Sequence, residues 1–389
     1  MLKKIITPIS LILIIIFNYS LAQKNPNKSM SIDQSVEGSF DNIFKENNEI
    51  SILFIGDFMG HMDQIKAAFD SETKKYNYDK TFEKIKPILS DADITIGNLE
   101  VTLGVRPYSG YPQFSSPVEY ASAIKASGVD VLVTANNHSC DKGKLGLERT
   151  IRLLDSLNIG HTGTFTDLSQ KQKSPCYIIK KNNMKIALIN YTYGTNEIPP
   201  THPNIVNYLD KKTVSSDVDL IRKEINPDQI IAFVHWGYQY QNMPNKKQLE
   251  WFEFFNSVGV NIVIGAHPHV LQPMQWEQGT DYTKDRLVAY SLGNFVSHQR
   301  TFPRDGGAVL KISLIKENNN IRVKYANYHL TWVHEFISGG KKYYDILSVK
   351  DYESNPEYFS NPSHYNKLVR FAKHARELLS EHNLNILEY

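Results

Sequence analysis

Five apolar runs in this 389-residue chain stop abruptly at a carboxylate, an amide or an imidazole, and that repetition restricts the fold more than any other feature. The runs are 50–55, 94–96, 129–134, 229–234 and 260–264, each short and apolar enough to be a buried strand. They are followed by Gly56-Asp57, by Gly97-Asn98-Leu99-Glu100, by Ala135-Asn136-Asn137-His138, by His235-Trp236-Gly237, and by Gly265-Ala266-His267-Pro268-His269. A sixth strand is expected at 183–190, and segments of helical spacing lie at 81–89, 117–127, 145–157, 214–225 and 246–258. In sheets built this way, the loops past the carboxyl ends of the strands gather ligands.

Beyond residue 264 the pattern changes. Residues 286–291, 308–315 and 321–328 read as consecutive strands, with Asn318-Asn319-Asn320 as a hairpin turn. Alternating units followed by a strand-rich half predict an α/β fold, a sandwich of sheets flanked by helices. The folded domain is expected over 49–335. Residues 336–389 read as a C-terminal extension, with a Gly339-Gly340 loop, a Tyr- and Asn-rich stretch and a terminal helix at 367–384.

The N-terminus reads differently. Lys3 and Lys4 precede an apolar run from Ile5 to Phe17, and Ser20-Leu21-Ala22 has the small residues of a signal-peptidase site. Residues 1–22 are therefore expected to be a signal peptide, and 23–48, rich in Asn, Ser and Lys, a flexible leader. The alternative, an uncleaved anchor, needs roughly 20 apolar residues, more than this run supplies. The expected location is exported: periplasmic, extracellular or membrane-associated. With 43 basic and 41 acidic residues, no electrostatic footprint points to nucleic acid. Cys140 and Cys176 are either a disulfide or two buried thiols.

Taken singly, each polar cluster has an ordinary reading: Asp57 as a turn former, Glu100 as a surface charge, His235 as a packed core histidine. The His267-x-His269 pair is different, because two imidazoles framed by Gly265 and Pro268 can both turn to one centre. Together, Asp57, Glu100, Asn137, His235, His267 and His269 predict a metal site. Mixed oxygen and imidazole ligands suit Mn, Fe or Zn rather than Ca. Three histidines, two carboxylates and an amide exceed the needs of one tetrahedral ion. The expected cofactor is one or two divalent transition-metal ions; two would share a carboxylate and a bridging water as nucleophile.

Read in order from about residue 51 to about 330, six motifs resemble the capsule-synthesis CapA family. They are Gly56-Asp57-Phe58-Met59, Asn98-Leu99-Glu100, Ala135-Asn136-Asn137-His138 with Asp141 and Gly143 behind it, His235-Trp236-Gly237, Gly265-Ala266-His267-Pro268-His269, and Ser291-Leu292-Gly293-Asn294-Phe295. That family is named for poly-γ-glutamate capsule production and is related to calcineurin-like metallophosphoesterases. The resemblance implies a metallo-dependent phosphatase-like four-layer α/β/β/α sandwich. It implies Asp57 and His269 on a first ion, Asn137, His235 and His267 on a second, and Glu100 where the phosphoesterases place a bridging aspartate. His138 and Asp141 are the expected catalytic pair. His61, Asn98, Arg106 and Asn294 are the expected substrate contacts, and Arg300 and Arg304 join Arg106 as partners for an anionic substrate.

Two positions depart from the phosphoesterase pattern. Met59 stands where a histidine follows the first aspartate, and His61 is either its substitute or an exposed loop residue. Glu100 is one methylene longer than aspartate. The expected function is an exported metal-dependent hydrolase of capsular, poly-γ-glutamate or other envelope polymer, acting on an anionic polymer through a phosphoester or amide bond. The alternatives are a non-catalytic subunit that binds polymer or a membrane-bound capsule synthase, and a general envelope metallophosphatase.

Overall fold

The computed structural model describes residues 48–280, 284–317 and 320–389. The expected signal peptide, and the expected leader as far as residue 47, lie outside the described residues, as do Asn318 and Asn319 of the expected hairpin turn. Each of the apolar runs becomes a strand: β1 (Glu49–Phe58), β2 (Ile94–Leu99) and β3 (Val131–Val133), with β4 (Gly160–Thr162) after them. The chain then builds a second sheet from β5 (Tyr177–Lys181), β6 (Met184–Thr192), β7 (Gln229–His235), β8 (Ile262–Ala266), β9 (Met274–Glu277) and β10 (Arg286–Ala289). It returns to the first sheet with β11 (Asn294–Val296), β12 (Gly306–Glu317), β13 (Asn320–Ser338), β14 (Lys341–Ser348) and β15 (Leu387–Glu388).

The first sheet has the order β14-β13-β12-β1-β2-β3-β4, with β11 beside β1 and β15 beside β13; the second has the order β9-β10-β8-β7-β6-β5. Strand periodicity of two sorts their side chains into layers. Ile52, Phe54, Ile96 and Val131 point inward to meet Ile186, Leu188, Ile231, Phe233 and Ile264 of the second sheet. Phe54 and Phe233 face each other with ring centroids 6.3 Å apart. On the outer face of the first sheet, Leu53, Ile55 and Leu132 pack under Phe82, Tyr120, Ile124 and Leu154. These belong to α1 (Asp79–Glu83), α2 (Val118–Ala126) and α3 (Gly143–Ser156). On the outer face of the second sheet, Ala187, Ile189, Ala232 and Val263 pack under α4 (Lys211–Glu224) and α5 (Lys246–Ser257) through Val214, Val218, Ile221, Phe252 and Phe255. The molecule is a four-layer α/β/β/α sandwich.

Two expectations change. The helix expected at 81–89 is two pieces, α1 and a turn at Lys86–Leu89 with Pro87 in its first turn. Proline lacks the N–H that a continuous helix needs there. The boundary expected at 336 falls inside β13, which pairs with β14 from Thr331 to Ser338. Helix α6 (Pro362–His382) sends Leu368, Phe371, Ala372 and Leu379 into the core between the sheets. Residues 48–389 are thus one compact unit, and the C-terminal segment is part of it.

Cys140 and Cys176 are both buried free thiols, and burial pushes each up to about 12. Among the described residues no helix is long and apolar enough to cross a membrane.

Candidate metal centre

Three parallel neighbours found the site. In β11, β1 and β2 the registered residues Asn294, Asp57 and Asn98 fall in one row. Gly56 lets the row form, because a Cβ there would stand 2.0 Å from the Gly293 carbonyl oxygen. The Asp57 N–H donates to that same carbonyl at 3.0 Å. Asn98 Nδ2 donates to Asp57 Oδ1 at 2.8 Å, while Asp57 Oδ2 lies 3.1 Å from His269 Nδ1. His269 Nδ1 also faces Asn294 Oδ1 at 3.1 Å. Two acceptors assign the proton to Nδ1 and leave the Nε2 lone pair free, 3.7 Å from Glu100 Oε1.

The second sheet supplies the other half. His235 closes β7 and is registered against Ala266, the last residue of β8, so His267 and His269 emerge beside it. Both adopt left-handed backbone, with φ of +99° and +58°. Such a conformation costs a non-glycine residue about 1–3 kcal/mol, and it clusters where function over-determines the backbone. The turn brings the His267 ring to 4.7 Å from that of His235, and to 6.0 Å from that of His269. His235 Nε2 lies 2.8 Å from Asn137 Oδ1 and 3.6 Å from Glu100 Oε1.

The ligand atoms thus form two groups, Asp57 with Glu100 and His269, and Glu100 with His235 and His267; within each group they lie within 4.8 Å of one another. Glu100 is common to both. Its Oε1 and the Nδ1 of His267 are buried without a hydrogen-bond partner. Buried polar atoms are almost always satisfied, and leaving them bare is costly. A divalent cation on each side of Glu100 would satisfy both atoms, so the residues present fit a metal pair. Burial and then the Asp57 charge push the Glu100 carboxyl well above its ordinary range. Burial, reinforced by neighbouring imidazoles, pushes His235 and His267 well below theirs. Neutral imidazoles are the form a metal accepts.

Beside this centre stands a dyad. His138 Nδ1 lies 2.8 Å from Asp141 Oδ2, which also accepts the Phe114 N–H at 2.6 Å. The Phe114 ring meets the His138 ring edge-on at 4.6 Å. Asn136 fixes the loop by donating to the Leu99 carbonyl at 2.7 Å and accepting the His138 N–H at 3.0 Å.

The expected substrate contacts fare differently. Asn98 and Asn294 are fully buried and spent on orienting others, Asn98 on Asp57, and Asn294 on His269 and the Arg304 carbonyl. Arg106 is exposed and stacks on Tyr108, and none of its contacts reaches the centre. Arg300 is turned away, with Nη2 on the Val333 carbonyl at 2.6 Å and its guanidinium over Trp332. Met59 is buried in the core under the first sheet and supplies no ligand atom. His61 is neither a member of the two ligand groups nor an exposed loop residue. It is half-buried at the start of the helix Met62–Ala68, its ring 5.2 Å from Phe114, and burial pushes it down to about 4.

Three residues at the centre were not expected from the sequence. Tyr193 covers the second half, its ring 4.6 Å from His267 and parallel to His235 at 6.2 Å. It follows β6 directly, so the strand-end rule pointed to it, but tyrosine is not a metal-ligand type. Tyr240 lies 6.1 Å from His269. Asn190 ties the sheets together behind the site, accepting the Ala135 N–H at 2.6 Å and donating to the Phe233 carbonyl at 2.9 Å.

Comparison with known proteins agrees with the motifs. The chain is 27% identical over 273 residues to "Capsule biosynthesis protein CapA" of Bacillus anthracis, a match that takes in 66% of this chain and 61% of the relative. It is also 27% identical over 267 residues to "PGA biosynthesis protein CapA" of Bacillus subtilis, covering 67% of each. The first match therefore leaves more than a third of that relative's length without a counterpart. The crystal structure of the calcineurin-like phosphoesterase YfkN from Bacillus subtilis aligns with a TM-score of 0.43 at 14% identity, over 85% of this chain and 98% of that one. The layer order stands on the sheets themselves. The family described as bacterial capsule synthesis protein PGA_cap matches residues 51–299, a span containing every ligand named above, and the chain belongs to that family.

Proposed function

We propose that this chain is an exported metal-dependent hydrolase of capsular or related envelope polymer, working at two ions that share Glu100. The observation that carries the reading is Glu100 itself, common to both ligand groups and with an unpartnered oxygen between them. Asp57 and His269 would hold one ion, and Asn137, His235 and His267 the other. When bound, the ions supply Lewis acidity and an acidified water.

The chain's own groups do the rest. Asn294 and Asn98 hold His269 and Asp57 in orientation. Outer partners of this kind change metal affinity or activity by about ten- to a hundredfold when removed. Asp141 fixes the proton of His138 on Nδ1, which leaves Nε2 to take the proton the attacking water loses and hand it to the leaving group. The aromatic cover of Tyr193 and Phe114 keeps bulk water from that exchange. The relatives are named for capsule and PGA biosynthesis, which favours an acidic polymer as substrate and the cell envelope as location.

The test is a panel of phosphomonoesters, phosphodiesters and γ-glutamyl peptides offered to Mn-, Fe- and Zn-loaded protein. Hydrolysis of one class is expected, falling about a hundredfold or more in His138→Ala, the scale of a lost general acid. Failure to hydrolyse every class with every metal would refute the hydrolase reading in favour of a binding role.

A further inference from the structure

Of the three arginines that the sequence offered to an anionic substrate, only Arg304 stands at the metal centre. Its guanidinium lies over the ring of Tyr240 at 3.3 Å from the centroid, and Tyr240 is the neighbour of His269. Both halves of this stack are anchored to the ligands. The Tyr240 N–H donates to the carbonyl of Pro268, between the two ligand histidines, at 2.8 Å. The Arg304 carbonyl accepts from Asn294 Nδ2 at 2.9 Å, and the other end of that same amide orients His269. One side-chain amide therefore spaces the arginine from the ligand.

The guanidinium is half-buried, and among the described residues it forms no ion pair with a carboxylate. Arg300, by contrast, is engaged with Glu335 and the Val333 carbonyl. Stacking on an aromatic face occupies the flat side of a guanidinium and leaves its donor edge free. That edge matches the two oxygens of a carboxylate or phosphate. Tyr240 is 40% exposed, so the stack opens to solvent rather than into the core.

We propose that Arg304, held on Tyr240, is the specificity-determining residue of the centre: it binds an anionic oxygen pair of the substrate next to the bond at the metals. This rests on the hydrolase reading for its place in a reaction, but not for the binding itself. Tyr193 stacks over the opposite half, so an extended acidic chain would run between Tyr193 and the Arg304–Tyr240 pair, across His267 and His269.

The experiment is calorimetric titration of the Mn-loaded full chain with three probes: a short γ-linked oligoglutamate, its neutral carboxamide counterpart, and inorganic phosphate. Metal content is matched among wild type, Arg304→Gln, Arg304→Lys and Arg106→Gln. Arg304→Gln is expected to weaken the anionic probe about tenfold or more, the scale of a hydrogen bond to a charged group. Arg304→Lys recovers part of the loss, Arg106→Gln is unchanged, and the neutral probe binds all four proteins alike. Preference for the oligoglutamate or for phosphate identifies the source of the anion. Equal binding by wild type and Arg304→Gln overturns the proposal, as does wild type that binds neither anion. Hydrolysis is scored separately: a lost anion site in a protein that never turns over keeps Arg304 and removes the hydrolase reading. Turnover with unchanged anion binding does the reverse.

Discussion

At the scale of single residues the centre is a set of groups whose titrations burial displaces. Glu100 is fully buried, and burial together with the Asp57 charge raises its carboxyl. A raised carboxyl holds its proton to higher pH than an ordinary glutamate, whereas His235 and His267, lowered by burial, are neutral above their ordinary range. Wherever Glu100 is still protonated, metal binding takes a proton from it and none from those two imidazoles. Mn affinity is expected to strengthen as pH rises through the Glu100 titration, with up to about one proton released there. Calorimetry in buffers of different ionisation enthalpy measures that release, and Glu100→Gln should abolish it. Release that persists in Glu100→Gln would place the proton elsewhere. The ligands were legible in the sequence because carboxylate, amide and imidazole are ligand types and each followed an apolar run. Tyr193 and Tyr240 were not, since nothing local distinguishes a tyrosine over a metal centre from one in a wall. Arg304 could not be separated from Arg106 and Arg300 until stacking and ion pairing set them apart.

At the scale of elements, strand-helix alternation was readable up to β8 because the central strands are apolar on both faces. The C-terminal third was harder. β14 opens on half-buried Lys341-Lys342-Tyr343 directly after Gly339-Gly340, so its start looked like loop. One link between β13 and α6 is a pair of histidines, buried His334 with its Nε2 3.0 Å from Nδ1 of half-buried His364. Phe336 stacks on His334 at 4.7 Å, and Phe359 meets it edge-on at 5.0 Å. Burial, with His364 and Arg300 nearby, pushes His334 down to about 3. An unfolded histidine titrates near 6.5, so the unfolded chain binds the proton first. This contact is at full strength above about pH 6.5 and weakens as pH falls toward about 3. The melting temperature of His334→Gln should accordingly fall less between pH 7 and about 4 than that of wild type. Parallel melting curves would show that His334 carries no part of the acid sensitivity.

At the scale of the whole molecule, the four layers bring the strand ends of two sheets together. Asp57, Asn98 and Asn294 come from the first sheet, and His235, His267 and His269 from the end of the second. Glu100 lies where the two sets meet, and neither sheet alone carries a complete ligand group. The sequence pattern could announce that the ligands sit at strand ends, but not which ends face each other. That depends on the order β11-β1-β2 and β6-β7-β8, which no local signal encodes. Met59 left the first group one imidazole short of the phosphoesterase pattern, and among the described residues no other imidazole joins the group; His61 stands at the start of its own helix. The central claim is therefore two ions joined by Glu100, each held by one histidine-bearing group. Elemental analysis of metal-loaded wild type, His267→Ala, His269→Ala and Glu100→Gln tests it directly. The account predicts about two ions per chain in wild type, about one in each histidine variant, and fewer than one in Glu100→Gln. A wild-type protein that holds a single ion, and keeps it in His269→Ala, would contradict it.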